Sequence, residues 1–157
     1  MARKVTILLV EDDLNVRQAL TQALTVENFS VVAAANSDEA LSGLAANSID
    51  VLLIDHDLGS ESGINTFAQL RKIQPNLPVI LMSARSGRNT AFFAKGVNAV
   101  VEKPLLDLPL LFRALSELAT EPRASVAETA HVSIGQTAAQ VRDERASVDR
   151  KWDTTQG

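Results

Sequence analysis

Up to about residue 120, five short apolar runs alternate with stretches in which apolar residues recur every three or four positions. The runs are Val5–Val10, Phe29–Ala34, Val51–Ile54, Val79–Met82 and Asn98–Val101. Short runs rich in β-branched and aliphatic residues predict strands buried on both faces. The stretches between them predict helices. Leu14–Val26 carries a stripe of Val16, Ala19, Leu20, Ala23 and Leu24. Ser37 precedes Asp38-Glu39 and reads as the N-cap of a helix with Ala40, Leu41 and Leu44 inward. Ile64–Ile73 places Ile64, Phe67, Leu70 and Ile73 at helical spacing. A short helix around Thr90–Lys95 ends at Gly96, and a last one, Leu108–Ala119, follows the cap residue Asp107. Strict strand–helix alternation with short connections predicts an α/β fold, a doubly wound five-stranded parallel sheet with helices on both faces.

Beyond Thr120 the texture changes. Pro122 stops the last helix, and Ala, Ser, Thr and Gln dominate with few large apolar residues. The expected organisation is one domain over residues 1–120 and a flexible or partly helical C-terminal tail over 121–157. Trp152 is an isolated aromatic in that tail, a candidate anchor on a partner or on the domain itself.

Composition narrows the function classes. The 157 residues are 46% apolar, enough for a real core, and the net charge of −4 gives no basic surplus for nucleic acid. No apolar run approaches the length of a membrane span, and Met1–Lys4 leads straight into a strand without a signal-peptide core. Cysteine is absent, which excludes thiolate chemistry and disulfides. A cytoplasmic protein that binds neither membrane nor DNA directly is the expectation.

The chemistry lies at the ends of the runs. Glu11-Asp12-Asp13 follows the first, Asp55 the third, Ser83 the fourth, and Glu102-Lys103-Pro104 the fifth. Open α/β sheets place their sites at the carboxyl ends of strands, so these groups converge. Glu11 and Asp12 supply hard oxygen ligands of the kind Mg²⁺ takes. Asp55, next to them, is the candidate nucleophile for a phosphoryl group. Lys103 and Ser83 are placed to neutralise and hydrogen-bond its oxygens. Asp13, directly before Leu14, reads as a helix cap. His56 and His131 lack metal-ligand spacing and read as surface residues. Lys103-Pro104 is a candidate cis bond.

Together these segments resemble the receiver domain of two-component response regulators. The matching stretches are Ile-Leu-Leu-Val-Glu11-Asp12-Asp13, Val-Leu-Leu-Ile-Asp55-His-Asp57-Leu58-Gly59-Ser-Glu-Ser-Gly63, Val-Ile-Leu-Met-Ser83-Ala84 and Val-Val-Glu-Lys103-Pro104. The resemblance implies a flavodoxin-like sheet with strand order 2-1-3-4-5. It implies Asp55 as phosphoacceptor and Mg²⁺ held by Glu11, Asp12, Asp55 and the backbone carbonyl of Asp57. Ser83 is the implied switch hydroxyl and Lys103 the family's lysine. The implied donor is a phosphohistidine on a sensor histidine kinase or a histidine phosphotransfer protein. The implied output is contact with an unknown downstream protein or service in a phosphorelay, with homodimer formation through the face of the fourth and fifth helices. Such a domain is a signalling module rather than a turnover enzyme.

Three departures from the family pattern stand out. Gly59 occupies the place of a usual proline and is expected to loosen the loop beside Asp55. The segment from Ser83 to Lys103 is about two residues short, which predicts a stunted fourth helix. Val100 stands where a rotating Tyr or Phe is common, so the usual ring movement has no counterpart. Asp57 and Arg85 each lie two residues past a site residue, and their side chains are expected to pair over the site. Two other readings compete. Asp55-His56-Asp57 also resembles the Asp-x-Asp of haloacid-dehalogenase-type phosphatases, but that motif normally follows the first strand of its fold. A receiver that never cycles through phosphorylation, serving as an interaction module, is the other.

Overall fold

The computed structural model describes residues 3–84, 89–120 and 132–134. Its parallel strands are β1 (Thr6–Val10), β2 (Ser30–Ala34), β3 (Val51–Asp55), β6 (Val79–Ser83), β7 (Ala99–Glu102) and β8 (Val132–Ile134). A two-stranded antiparallel hairpin, β4 (Asp57–Leu58) and β5 (Glu61–Ser62), follows β3. The helices are α1 (Leu14–Val26), α2 (Ser37–Ala46), α3 (Gly63–Ile73), α4 (Asn89–Ala94) and α5 (Leu108–Thr120). The main sheet runs β2-β1-β3-β6-β7-β8. For the five strands expected from the apolar runs, this is the order 2-1-3-4-5.

Alternation along each strand builds two cores. Leu8, Val10, Leu52, Ile54, Val79, Leu81 and Val100 face one layer, with Ala40, Leu44, Phe67, Leu70 and Phe92 from α2, α3 and α4. Ile7, Leu9, Val51, Leu53, Ile80, Met82 and Val101 face the other, with Leu20 and Leu24 of α1 and Leu111, Leu115 and Leu118 of α5. Every residue of β3 and β6 is buried, as a central parallel strand covered on both faces requires.

Caps set where the helices begin. The Asp13 side chain accepts from the Val16 N–H at 3.0 Å, and Asp107 accepts from the Leu110 N–H at 3.1 Å. At α2 the cap is one residue earlier than expected. Asn36, extended at φ −155°, accepts from the Glu39 N–H at 2.9 Å, and Ser37 is the first helical residue. The Asn36 amide oxygen reaches the third helical N–H, and Glu39 turns back to accept from the Ala35 N–H at 3.1 Å. Ile73 also departs from its expected inward place. It is 59% exposed, at the last residue of α3.

Gly96 has φ +99° and donates to the Phe93 carbonyl, closing α4, which is six residues long. The Lys103-Pro104 bond is cis. β8 lies within the stretch expected to be a tail, and the rest of 121–157 lies outside the described residues. Among the described residues no helix is long and apolar enough to cross a membrane.

Candidate functional site

The strand ends bring the expected residues to one edge of the sheet. Glu11 follows β1, Asp55 ends β3 and Ser83 ends β6; all three are buried, at 1%, 3% and 2% exposure. Lys103 follows β7 and reaches across β6, so that its Nζ lies 2.7 Å from Asp55 Oδ2 and 3.4 Å from Glu11 Oε2. Asp12 is exposed, and one carboxylate oxygen each from Glu11, Asp12 and Asp55 lie within 4.8 Å of one another. Met82 is paired in register with Asp55, which puts Ser83 one residue beyond it on the neighbouring strand.

The backbone around these groups is tied down. Arg17 of α1 donates to the carbonyl oxygens of Glu11, at 2.8 Å, and Asp12, at 3.3 Å. The Asp13 N–H donates to Glu11 Oε1 at 3.3 Å, and the Asp57 N–H to Asp55 Oδ1 at 3.0 Å. The Asp57 carboxylate accepts from the Gly59 N–H at 3.1 Å. His56 is fixed on both sides, its N–H donating to Met82 and its carbonyl accepting from Gly63. Its ring is half-buried against Phe92 of α4, with centroids 5.0 Å apart, so it is a contact between the Asp55 turn and α4 rather than a free surface residue. His131 and Arg85 lie outside the described residues, and with Arg85 the expected pairing to Asp57.

Gly59 takes part in a defined turn. Leu58 pairs with Glu61 and Asp57 with Ser62, so Gly59-Ser60 is a two-residue hairpin turn whose first residue has φ +75°. A Cβ at Gly59 would stand 3.3 Å from Asp12 Oδ2. The hairpin is also tethered outward, because the Glu61 carboxylate accepts from the Ser37 N–H at the start of α2.

The electrostatics follow from burial and crowding. Burial raises the Glu11 carboxyl from its ordinary 4.5 to about 7, assisted by the hydrogen bond and charge of Asp55 and opposed by Lys103. Burial by itself would lower the Lys103 ammonium, but hydrogen bonds and negative charge from Asp55 and Glu11 outweigh it and raise it. Three clustered carboxyl groups, two of them in contact with one ammonium, leave the site rich in acidic oxygen. The donors are all hard oxygens, and one face of the group, at Asp12, opens to solvent. That set suits a small divalent cation that takes a few carboxylates and completes its shell with water.

Reading the strand ends named Glu11, Asp12, Asp55, Ser83 and Lys103, which the fold gathers at one edge of the sheet. It passed over Arg17, whose signal was a cation within the opening turns of a helix, where the dipole disfavours it. The carbonyls of Glu11 and Asp12 are the compensation.

A family model described as response regulator receiver domain matches residues 7–116. Transcriptional regulatory protein GlrR of Escherichia coli (strain K12) is 33% identical over 113 residues, which are 71% of this chain and 25% of that protein. Transcriptional regulatory protein CpxR of the same strain is 34% identical over 109 residues, 68% of this chain and 46% of that protein. The chain thus spans between a quarter and a half of the length of these relatives. Among solved structures, the non-phosphorylated HemR receiver domain from Leptospira biflexa superposes with a TM-score of 0.67 at 25% identity, covering 76% of this chain and 97% of that one. TrrA from Thermotoga maritima, in complex with Mg²⁺–BeF, shares the fold with a TM-score of 0.65 at 24% identity, covering 73% and 98%. By the family match over most of its length, the chain belongs to the response regulator receiver domain family.

Proposed function

We propose that Asp55 accepts a phosphoryl group from a phosphohistidine on a partner kinase or phosphotransfer protein. The observation that carries this reading is the 2.7 Å contact between Lys103 Nζ and Asp55 Oδ2, made where the oxygens of Glu11, Asp12 and Asp55 converge. A carboxylate nucleophile must be ionised, fixed in direction and next to cations that neutralise the transferring oxygens. Lys103 supplies such a cation at Asp55. The Asp57 N–H holds Oδ1, which leaves Oδ2, now on the ammonium, as the attacking oxygen.

In the transfer, Asp55 Oδ2 forms the new O–P bond while the P–N bond to the donor imidazole breaks, and the imidazole nitrogen keeps the electron pair. Lys103 shifts from the carboxylate to a phosphoryl oxygen, and the Ser83 hydroxyl donates to another. Glu11, Asp12, Asp55 and the Asp57 carbonyl would hold Mg²⁺, which when bound supplies positive charge to the phosphoryl oxygens. Arg17 keeps the acidic turn in place by its two carbonyl contacts.

Two exposed leucines support a protein donor. Leu14 is 53% and Leu106 78% exposed, and they sit in sequence just after the acidic turn and just after Lys103-Pro104. Apolar groups beside a charged site suit a helical partner that presents its histidine between them.

Incubation with acetyl phosphate and Mg²⁺, followed by intact mass measurement, tests the reading. One phosphoryl adduct per chain is expected, dependent on Mg²⁺ and absent in Asp55→Asn. Repeated turnover of the donor would indicate a phosphatase. Absence of any adduct would indicate a non-cycling interaction module.

A further inference from the structure

The strand β7 closes the sheet formed by the five apolar runs, and the edge of a sheet offers a row of main-chain N–H and C=O groups to any extended segment. Here that row is occupied. β8 lies parallel to β7, with Ala99 opposite Val132, Val100 opposite Ser133 and Val101 opposite Ile134. The segment comes from beyond α5, which ends at Thr120.

β8 differs from the strands it extends. It is three residues long, against four or five for the others of the sheet. A short ladder at an edge opens at low free energy. β7 does not need it for support. Four register pairs join β7 to β6, from Ile80–Ala99 to Ser83–Glu102. Val100 packs in one core, and Ala99 and Val101 in the other. The strand would therefore keep its place with its outer edge bare.

We infer that the outer edge of β7 is a docking surface for one extended strand in parallel register, and that residues 132–134 occupy it in cis as a displaceable plug. Release of the plug opens the edge to an extended segment of the same pattern, apolar-hydroxylic-apolar, on another protein. Strand addition of this kind draws its affinity from main-chain hydrogen bonds, so the partner needs an unpaired strand rather than a folded surface. Tethering gives the plug an effective concentration on the order of millimolar, so a free segment gains access only once the plug has left. The inference concerns the edge and stands independently of phosphoryl transfer at Asp55.

Amide hydrogen exchange on the full chain tests it, with Ser133→Pro and Ile134→Pro as variants. Neighbouring residues of a strand point their N–H groups to opposite edges, and proline has none to give, so one of the two variants must break the ladder. In that variant the outer-edge amides of β7 should exchange at least about tenfold faster than in the wild type. A synthetic peptide of residues 129–137 added in trans should protect them again, and should leave the wild type unchanged. Wild-type exchange in both variants would overturn the inference, as would exposed amides that the peptide fails to protect. Loss of the whole fold would make β8 part of the core rather than a plug. Protection in the wild type that depends on protein concentration, with a dimeric mass, would show exchange between copies and overturn the assignment in cis.

Discussion

Lys103 Nζ reaches over a whole strand to lie 2.7 Å from Asp55 Oδ2, because β6 separates β7 from β3. One ammonium thus contacts two of the three clustered acids, Asp55 and Glu11. It has two opposed effects. It sets a positive charge beside the carboxylate proposed to attack, and it competes with a divalent cation for the same oxygens. Lys103→Met should therefore bind Mg²⁺ more tightly, by about 3- to 10-fold, the worth of one screened charge a few ångströms away. It should also form the acyl phosphate about 10- to 100-fold more slowly, having lost a cation that stabilises the transferring oxygens. Calorimetric Mg²⁺ titration and intact-mass time courses check both. Weaker Mg²⁺ binding would show that the lysine organises the acids rather than competing for them.

The raised Glu11 carboxyl gives a pH dependence with a definite sign. Its value is about 7 in the folded, metal-free protein and near the ordinary 4.5 when unfolded. Between those values the folded state holds the proton more firmly, so the stability from this group is full below about 4.5. It is lost as pH rises through about 7, and is constant above that. In chelator-containing buffer, wild-type stability should fall relative to Glu11→Gln over this interval, and the variant should be the more stable one above it. Parallel urea curves for the two proteins across that range would refute the assignment of the shift to Glu11.

Gly59 is required by the turn it makes. Gly59 sits at φ +75°, and the proline ring fixes φ near −65°. Gly59→Pro should cost about 1–3 kcal/mol by breaking the hairpin. It should also disturb Asp12, whose carboxylate lies where a Cβ at 59 would point. Urea unfolding with and without Mg²⁺ reads both effects, and an unchanged midpoint would contradict the turn geometry.

How much of this was legible in the sequence depended on the range of the interaction involved. Strands β1, β3, β6 and β7 are buried on both faces, so each is an apolar run that announces itself, and the residues that end them were found with them. Asp13 and Asp107 were legible because a cap bonds to an N–H three residues away. Asn36 and Ser37 are both good caps, and local pattern does not choose between them. β8 was not legible. Val132-Ser133-Ile134 is too short to show a period, and its strand character comes from β7, some thirty residues earlier in the chain. The contact of His56 with Phe92 was hidden for the same reason, since it joins the Asp55 turn to α4, distant in the chain.

Gly63, the first residue of α3, lies tight against the Asp55 turn. Its N–H donates to the His56 carbonyl at 2.8 Å, and a Cβ there would overlap the Asp55 carbonyl and stand 3.0 Å from His56 Cα. The obstruction is backbone, which cannot swing aside as a side chain can. Gly63→Ala must therefore move α3 or the end of β3, and overpacking of this kind costs about 1–3 kcal/mol. The shift falls on the backbone that aims Asp55, so acyl phosphate formation should drop by more than stability alone explains. Displacement of about an ångström at a reacting group costs on the order of a hundredfold in rate. Acetyl phosphate kinetics under conditions where the variant is fully folded separate the two losses. A variant with wild-type kinetics would show that Asp55 is aimed by its side-chain contacts to Asp57 and Lys103, and that its main chain has room to give.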